Sequence, residues 1–253
     1  MKRFWNWVRN DDNSRTLYLD GVIAEESWFA DGITPAIFKE ELEADDGPVT
    51  LHINSPGGDC VAASQIYTML KDYPGNITVH VDGLAASAAS VIAMAGNRVC
   101  MSPTSLMMIH NPLTAAIGDS DEMRKAIQLL DEVKESIINA YELKTGLSRT
   151  KLAHLMDAET WMNAYRAKEL GFCDEVLYSE GNEPQAADKL PGFSFARKTS
   201  VACLMNRVLA TIPKVEPVSE PVTDPNPTDI PDNRVKAADL EKRLSLLDRK
   251  SVV

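Results

Sequence analysis

Three short segments of this 253-residue chain set chemistry-bearing residue types in local patterns that chemistry can use. The first is Asn54-Ser55-Pro56-Gly57-Gly58-Asp59, a double glycine between the end of a β-type run and the start of a helical one. Gly-Gly there reaches dihedrals closed to other residues and leaves backbone N–H groups bare at the carboxyl edge of a sheet. The same turn also serves as an ordinary strand-to-helix connection. The second is Asp82-Gly83-Leu84-Ala85-Ala86-Ser87-Ala88-Ala89-Ser90, where a run of small residues leads to a serine at a helix start. A nucleophilic serine needs that placement, with no bulky neighbour in the way and N–H groups close to a developing oxyanion. Taken alone, the segment is more simply a close-packed Ala/Ser helix with Ser87 as its N-cap. The third is Leu106-Met107-Met108-Ile109-His110-Asn111-Pro112, an apolar strand ending in a histidine before an Asn-Pro turn. A histidine at a strand end is usually structural, yet a rigid strand is what a general base needs if it must point at a serine.

The other candidates are weaker. His52 and His80 sit mid-strand in alternating patterns, which suits sheet-packed or surface histidines, and His154 lies in a short polar helix. Ser90 is one turn beyond Ser87 and packs against it, while Ser55 hydrogen-bonds locally. Lys125 or Lys134 on the long helix would give a Ser-Lys dyad, but His110 already fills the base position. The four cysteines, Cys60, Cys100, Cys173 and Cys203, form no CxxC pair, which argues against a disulfide framework and against a zinc site. No GxxxxGK[ST] motif is present, so any ATP dependence must come from another chain.

Taken together, the segments match a family. From about residue 17 to 178 the chain resembles the Clp protease proteolytic subunit (ClpP), particularly its phage-encoded, head-maturation relatives. Ile53 to Gly58, Gly83 to Ser87 and Met108 to Pro112 carry the resemblance, with Thr160-Trp161-Met162-Asn163-Ala164, Glu169-Leu170-Gly171-Phe172 and Asp174 behind them. The resemblance implies a serine endopeptidase with Ser87 as nucleophile and His110 as base, and an oxyanion hole of the Gly58 and Ala88 N–H groups. It implies no cofactor and no metal. It implies the ClpP/crotonase-like α/β fold of repeated βαβ units, in heptameric rings stacked face to face. The family places an aspartate two residues before the aromatic that here is Trp161, and this sequence has Glu159 there. A glutamate orients a histidine as an aspartate does, with one more methylene of reach. Asp157 is the rival acid, although Glu159 aligns to Trp161 without a gap. A catalytically idle capsid-assembly or scaffold protein, or a crotonase-fold acyl-CoA enzyme, is the alternative.

These residues need elements to hold them. Residues 17–23 pattern as a strand, Thr34-Pro35 opens a helix over 34–44, and 50–54 is a strand in which Leu51 and Ile53 alternate with His52. A helix over 60–72 and a strand over 77–81 complete a βαβ unit, which implies a parallel sheet with right-handed crossovers. An Ala/Ser helix follows over 87–95, then β-type segments at 98–101 and 106–109. A long helix over 119–145 begins at Asp119 with Glu122 in capping-box fashion and ends at Gly146. Its Met123, Ile127, Leu130, Val133, Ile137 and Tyr141 form one apolar stripe. Short helices to about 156 and over 164–170, and a strand-like run over 174–178, close the domain.

The chain divides into an N-terminal segment (1–15), expected to be poorly ordered or used as an arm, a catalytic domain (16–185) and a C-terminal extension (186–253). That extension holds six of the fourteen prolines within 213–231, a semi-rigid linker. A short amphipathic helix follows, built on Ala237, Leu240, Leu244 and Leu247. The net charge of −11 has the wrong sign for a nucleic-acid footprint. No window approaches a membrane span, and the N-terminus lacks the apolar stretch of a signal peptide. The expected partners are a polypeptide substrate, further copies of the chain, and an AAA+ unfoldase or capsid and scaffold proteins. The expected setting is cytoplasmic, the host's if the chain is phage-encoded.

Overall fold

The computed structural model describes residues 3–11, 14–23 and 34–179. The chain separates into two compact units, 1–212 and 213–253, and every described residue belongs to the first. The Pro-rich linker and the terminal helix of the sequence reading lie outside the described residues.

Eight strands form one mixed sheet. The order runs β1 (Trp5–Arg9), β2 (Arg15–Asp20), β3 (Val49–Ser55), β4 (Ile77–Ala86), β5 (Arg98–Met101) and β8 (Glu175–Val176). From β2 to β8 every neighbouring pair along this path is parallel, as the βαβ reading requires. The edge departs from expectation. Residues 5–9 are not a loose arm but pair antiparallel with β2, from Trp5 opposite Leu19 to Arg9 opposite Arg15. Phe4 and Trp5 are buried there, and Trp5 packs edge-on against Phe38 of α1 (Thr34–Leu42). Polar residues on either side hid a short strand that Phe4 and Trp5 anchor.

Alternation decides which face each strand buries. Leu17, Leu19, Leu51, Ile53, Val79, Val81, Val99 and Met101 point into the core with Ile66 and Leu70 of α2 (Cys60–Asp72) and Ile92 of α3 (Ala88–Ala93). Each such aliphatic side chain, fully withdrawn from water, contributes about 1.5–3 kcal/mol. Asp59 caps α2, its carboxylate accepting from the N–H groups of Val61 and Ala62. The opposite face of the sheet carries Tyr18, His52 and His80 in one register row.

β4 is longer than the apolar run 77–81 indicates, and its two halves have different neighbours. Residues 78–81 pair with β5, whereas Leu84, Ala85 and Ala86 pair with Leu106, Met107 and Met108 of β6 (Leu106–Ile109). Small side chains at 83, 85 and 86 let the strand continue through the glycine to the threshold of α3. β7 (Thr160–Asn163), which the sequence reading did not assign as a strand, lies antiparallel on β6.

α4 (Ser120–Thr145) follows its capping signals, with Asp119 accepting from the N–H groups of Asp121 and Glu122 and Gly146 closing it at φ 69°. Its apolar stripe is only half used. Ile137, Ile138, Ala140 and Tyr141 are buried, but Ile127 and Leu129 are each 59% exposed. The helix projects from the domain by its N-terminal half. α5 (Arg149–Asp157) and α6 (Ala164–Glu169) complete the fold. Among the described residues no helix is long and apolar enough to cross a membrane.

Candidate active site

Strand pairing brings Ser87 and His110 together. Ala86 of β4 is in register with Met108 of β6, and the Ser87 N–H donates to Met108 O at 2.9 Å. Ser87 is therefore one residue beyond the paired strands and His110 two. Their side chains meet, with Ser87 Oγ 2.7 Å from His110 Nε2. His110 is buried, 8% exposed. A serine hydroxyl against a shielded imidazole nitrogen is the pairing that lets a base withdraw a proton as oxygen attacks.

Ser87 is not a helix cap in the capping sense. It occupies the cap position of α3 with φ 55° and ψ −125°, and its side chain makes no capping hydrogen bond. A non-glycine residue with these dihedrals is held against its own preference, at a cost on the order of 1–3 kcal/mol, and survives only where the surroundings impose it. The imposing groups are visible. Ser87 O accepts from Ser90 N at 2.9 Å and from Ser90 Oγ at 2.6 Å. Ser90 Oγ also meets Tyr141 OH of α4 at 2.8 Å.

The glycine turn packs directly on this elbow. A Cβ on Gly57, whose φ is 96°, would lie 2.6 Å from Ala86 O, 2.8 Å from Ser87 Cβ and 3.0 Å from Ala88 N. Only glycine allows that approach. Ser55 fastens the turn, donating to Gly21 O at 2.6 Å and accepting from Gly57 N at 3.1 Å. Ile23 binds Gly57 O and Asp59 N, the two groups flanking Gly58. Because successive groups of an extended chain alternate sides, the Gly58 N–H is turned away from Ile23.

The acids differ in their surroundings. β6 and β7 pair Ile109 with Thr160, the residue that follows Glu159. Glu159 has φ 48°, and its Oε1 accepts from Trp161 Nε1 at 3.4 Å. Asp157 Oδ1 accepts from Lys134 Nζ at 2.6 Å and from Asn111 Nδ2 at 2.9 Å. These two donors, Lys134 first, hold the Asp157 carboxyl below the usual carboxylate range. Asp157 thus grips the residue after His110.

The remaining candidates fall elsewhere. His52 Nδ1 contacts the Asp82 carboxylate at 2.8 Å, with its ring stacked on Tyr18. His154 is exposed on α5. Lys125 pairs with Glu122 and Lys134 with Asp157, so neither lysine serves Ser87. The hydroxyls of Ser90 and Tyr141 are the neighbours that sequence reasoning missed as polar partners. A serine three residues after a strained serine, able to bond back to its carbonyl, is the signal that could have found the first.

Comparison with known proteins gives the same answer as the geometry. The model of the Clp protease family matches residues 6–180. The chain is 33% identical over 143 residues to the ATP-dependent Clp protease proteolytic subunit 1 of Chlamydia abortus, covering 55% of this chain and 74% of that one. To the corresponding subunit 1 of Chlamydia muridarum it is 30% identical over 171 residues, 66% of this chain and 88% of that one. To the ATP-dependent Clp protease proteolytic subunit of Bdellovibrio bacteriovorus it is 29% identical over 170 residues, 65% and 79% of the two chains. With a serine forced out of helical geometry against a shielded histidine, on an α/β sheet with a projecting helix, the chain belongs to the Clp protease family of serine-type peptidases.

Proposed function

We propose that the chain is an endopeptidase in which Ser87 attacks the peptide carbonyl, His110 moves the proton and Glu159 orients the histidine. The 2.7 Å contact between Ser87 Oγ and His110 Nε2 carries this reading. As the Ser87 oxygen bonds to carbon, His110 accepts its proton and then hands it to the leaving amine; water repeats the sequence to release the acyl group. The N–H groups of Gly58 and Ala88 take the charge on the carbonyl oxygen. Losing one such donor costs on the order of 10²–10³ in kcat. Glu159, which directly precedes the β7 residue paired with Ile109, keeps the imidazole tautomer and stabilises its cation. Domain boundaries at about 16 and 185 enclose everything this chemistry uses.

The relatives are named as proteolytic subunits of ATP-dependent proteases. By that likeness the chain works with a separate ATPase and assembles into a ring, heptameric and doubled. The exposed apolar half of α4 then forms the contact between rings. A closed chamber explains how such a peptidase spares the proteins around it. Phage prohead maturation, with capsid or scaffold proteins as substrates, is the more specific setting that the sequence resemblance favours.

The test is active-site labelling. A fluorophosphonate should modify purified protein at Ser87, found by peptide mapping, and Ser87→Ala should abolish both labelling and peptide hydrolysis, a loss of about six orders of magnitude in kcat. Labelling that survives the substitution would sink the proposal.

A further inference from the structure

Two hydroxyls behind the nucleophile carry an inference about how the oxyanion donor is aimed. The Ser87 carbonyl and the Ala88 N–H belong to one peptide unit, which is planar and trans, so they point in opposite directions. Whatever fixes the carbonyl fixes the N–H. Ser87 O is gripped twice by one residue, by Ser90 N at 2.9 Å and by Ser90 Oγ at 2.6 Å. A serine hydroxyl has a single hydrogen. Ser90 spends it on Ser87 O, so the 2.8 Å contact with Tyr141 makes the phenol the donor and Ser90 Oγ the acceptor. The order of donation is Tyr141, Ser90, Ser87 carbonyl.

This relay is sealed. Ser90 is 0% and Tyr141 1% exposed, so no water competes for either hydroxyl. Burial pushes the Tyr141 phenol far above its ordinary value, which keeps its proton in place at every working pH. Tyr141 stands on α4, and Phe172 braces its ring edge-on at 5.4 Å. Hydrogen bonds arranged head to tail polarise one another, and a polarised carbonyl makes the N–H across the same peptide a stronger donor.

We propose that Ser90 and Tyr141 are positioning residues that orient and strengthen the Ala88 N–H as an oxyanion donor. The inference rests on the oxyanion role given to Ala88 above. It predicts a transition-state effect, which a packing role would not produce.

The experiment uses the full chain, a peptide substrate, and a matched peptide aldehyde and peptide alcohol. The aldehyde carbon bonds to Ser87 Oγ, His110 takes the serine proton, and the former carbonyl oxygen becomes the oxyanion. The alcohol fills the same pocket without that bond. Ser90→Ala should lower kcat about 10–100-fold with KM within about twofold, and weaken the aldehyde by a similar factor while sparing the alcohol. Tyr141→Phe, which removes one oxygen and keeps the ring, should lose about 3–10-fold in the same two quantities. The double variant should be no worse than Ser90→Ala, because both act on one chain of bonds. Assays are run well below each variant's melting midpoint, and Tyr141→Phe carries the test alone if Ser90→Ala does not fold. Unchanged kcat and aldehyde affinity, or equal losses for aldehyde and alcohol, overturns the inference. Failure of the wild type to label at Ser87 overturns the site reading beneath it, so the two failures are distinguishable.

Discussion

At Ser87 the backbone stands at φ 55° where a serine prefers negative values, and its hydroxyl bonds a histidine instead of the helix behind it. Strain at one residue is tolerated because three neighbours hold it: Met108 on its N–H, Ser90 on its carbonyl, and a glycine with no Cβ against its side. The acid is the position where residue chemistry alone leaves a choice. Asp157 already satisfies Lys134 and Asn111, whereas Glu159 lies one step beyond a strand pair that ends beside His110. Glu159→Gln should therefore lower kcat about 10⁴-fold, as loss of a triad carboxylate does. Asp157→Asn, which only loosens the turn after His110, should lose less than about 30-fold. Steady-state kinetics on the two variants decides between them, and the reverse ranking would move the acid to Asp157.

Among the elements, the glycine turn and the divided strand β4 do the positioning. β4 leaves β5 after residue 81 and joins β6 from residue 84, so its end arrives where the β6 histidine emerges. The turn after β3 reaches across to the same point. Gly57→Ala would bring a methyl within 2.6 Å of Ala86 O and 2.8 Å of Ser87 Cβ, the first anchored by strand pairing and the second by the Ser87 N–H bond to Met108 O. The turn must retreat. We expect peptidase activity and fluorophosphonate labelling to fall together by at least about 100-fold, the cost of one displaced oxyanion donor. Activity near that of the wild type would mean that the turn holds no donor in place.

For the whole molecule, the most informative feature is the incomplete use of α4. A stripe that runs from Met123 to Tyr141 in sequence is buried only from Ile137 onward, while Ile117, Ile127 and Leu129 stay 79%, 59% and 59% exposed. Ile117 precedes α4 and Leu129 lies off the stripe, so Ile127 is the stripe residue left most open to a protein contact. On the proposed ring assembly, Ile127→Asp should disperse the largest species in native mass spectrometry without changing the melting of the single chain. An unaltered mass distribution would take α4 out of the ring contact. The same helix anchors Ser90 through Tyr141 and the turn after His110 through Lys134 and Asp157. One element therefore reaches the neighbours of both Ser87 and His110, each through one intermediate residue.

Much of this was legible in the residues. The parallel βαβ order, the bounds of α2 and the caps of α4 follow from local patterns, because alternation, helical spacing and capping chemistry act over a few neighbours. Ser87 and His110 were legible as a pair through resemblance, since each sits at an element boundary marked by small residues or by Asn-Pro. Local patterns did not reveal β1, a five-residue strand within a polar N-terminal stretch, or the switch of β4 from one partner to another. They could not separate a capping serine from a nucleophile either. Both uses ask for a small polar residue before a helix, and only the dihedral angles and the 2.7 Å contact distinguish them. The sequence by itself determined the chemical groups and the types of most elements, β1 and β7 excepted. The tertiary structure decided which groups meet, because Ser87 and His110, and likewise Ser90 and Tyr141, are distant along the chain and are brought together by strand register and by the packing of α4.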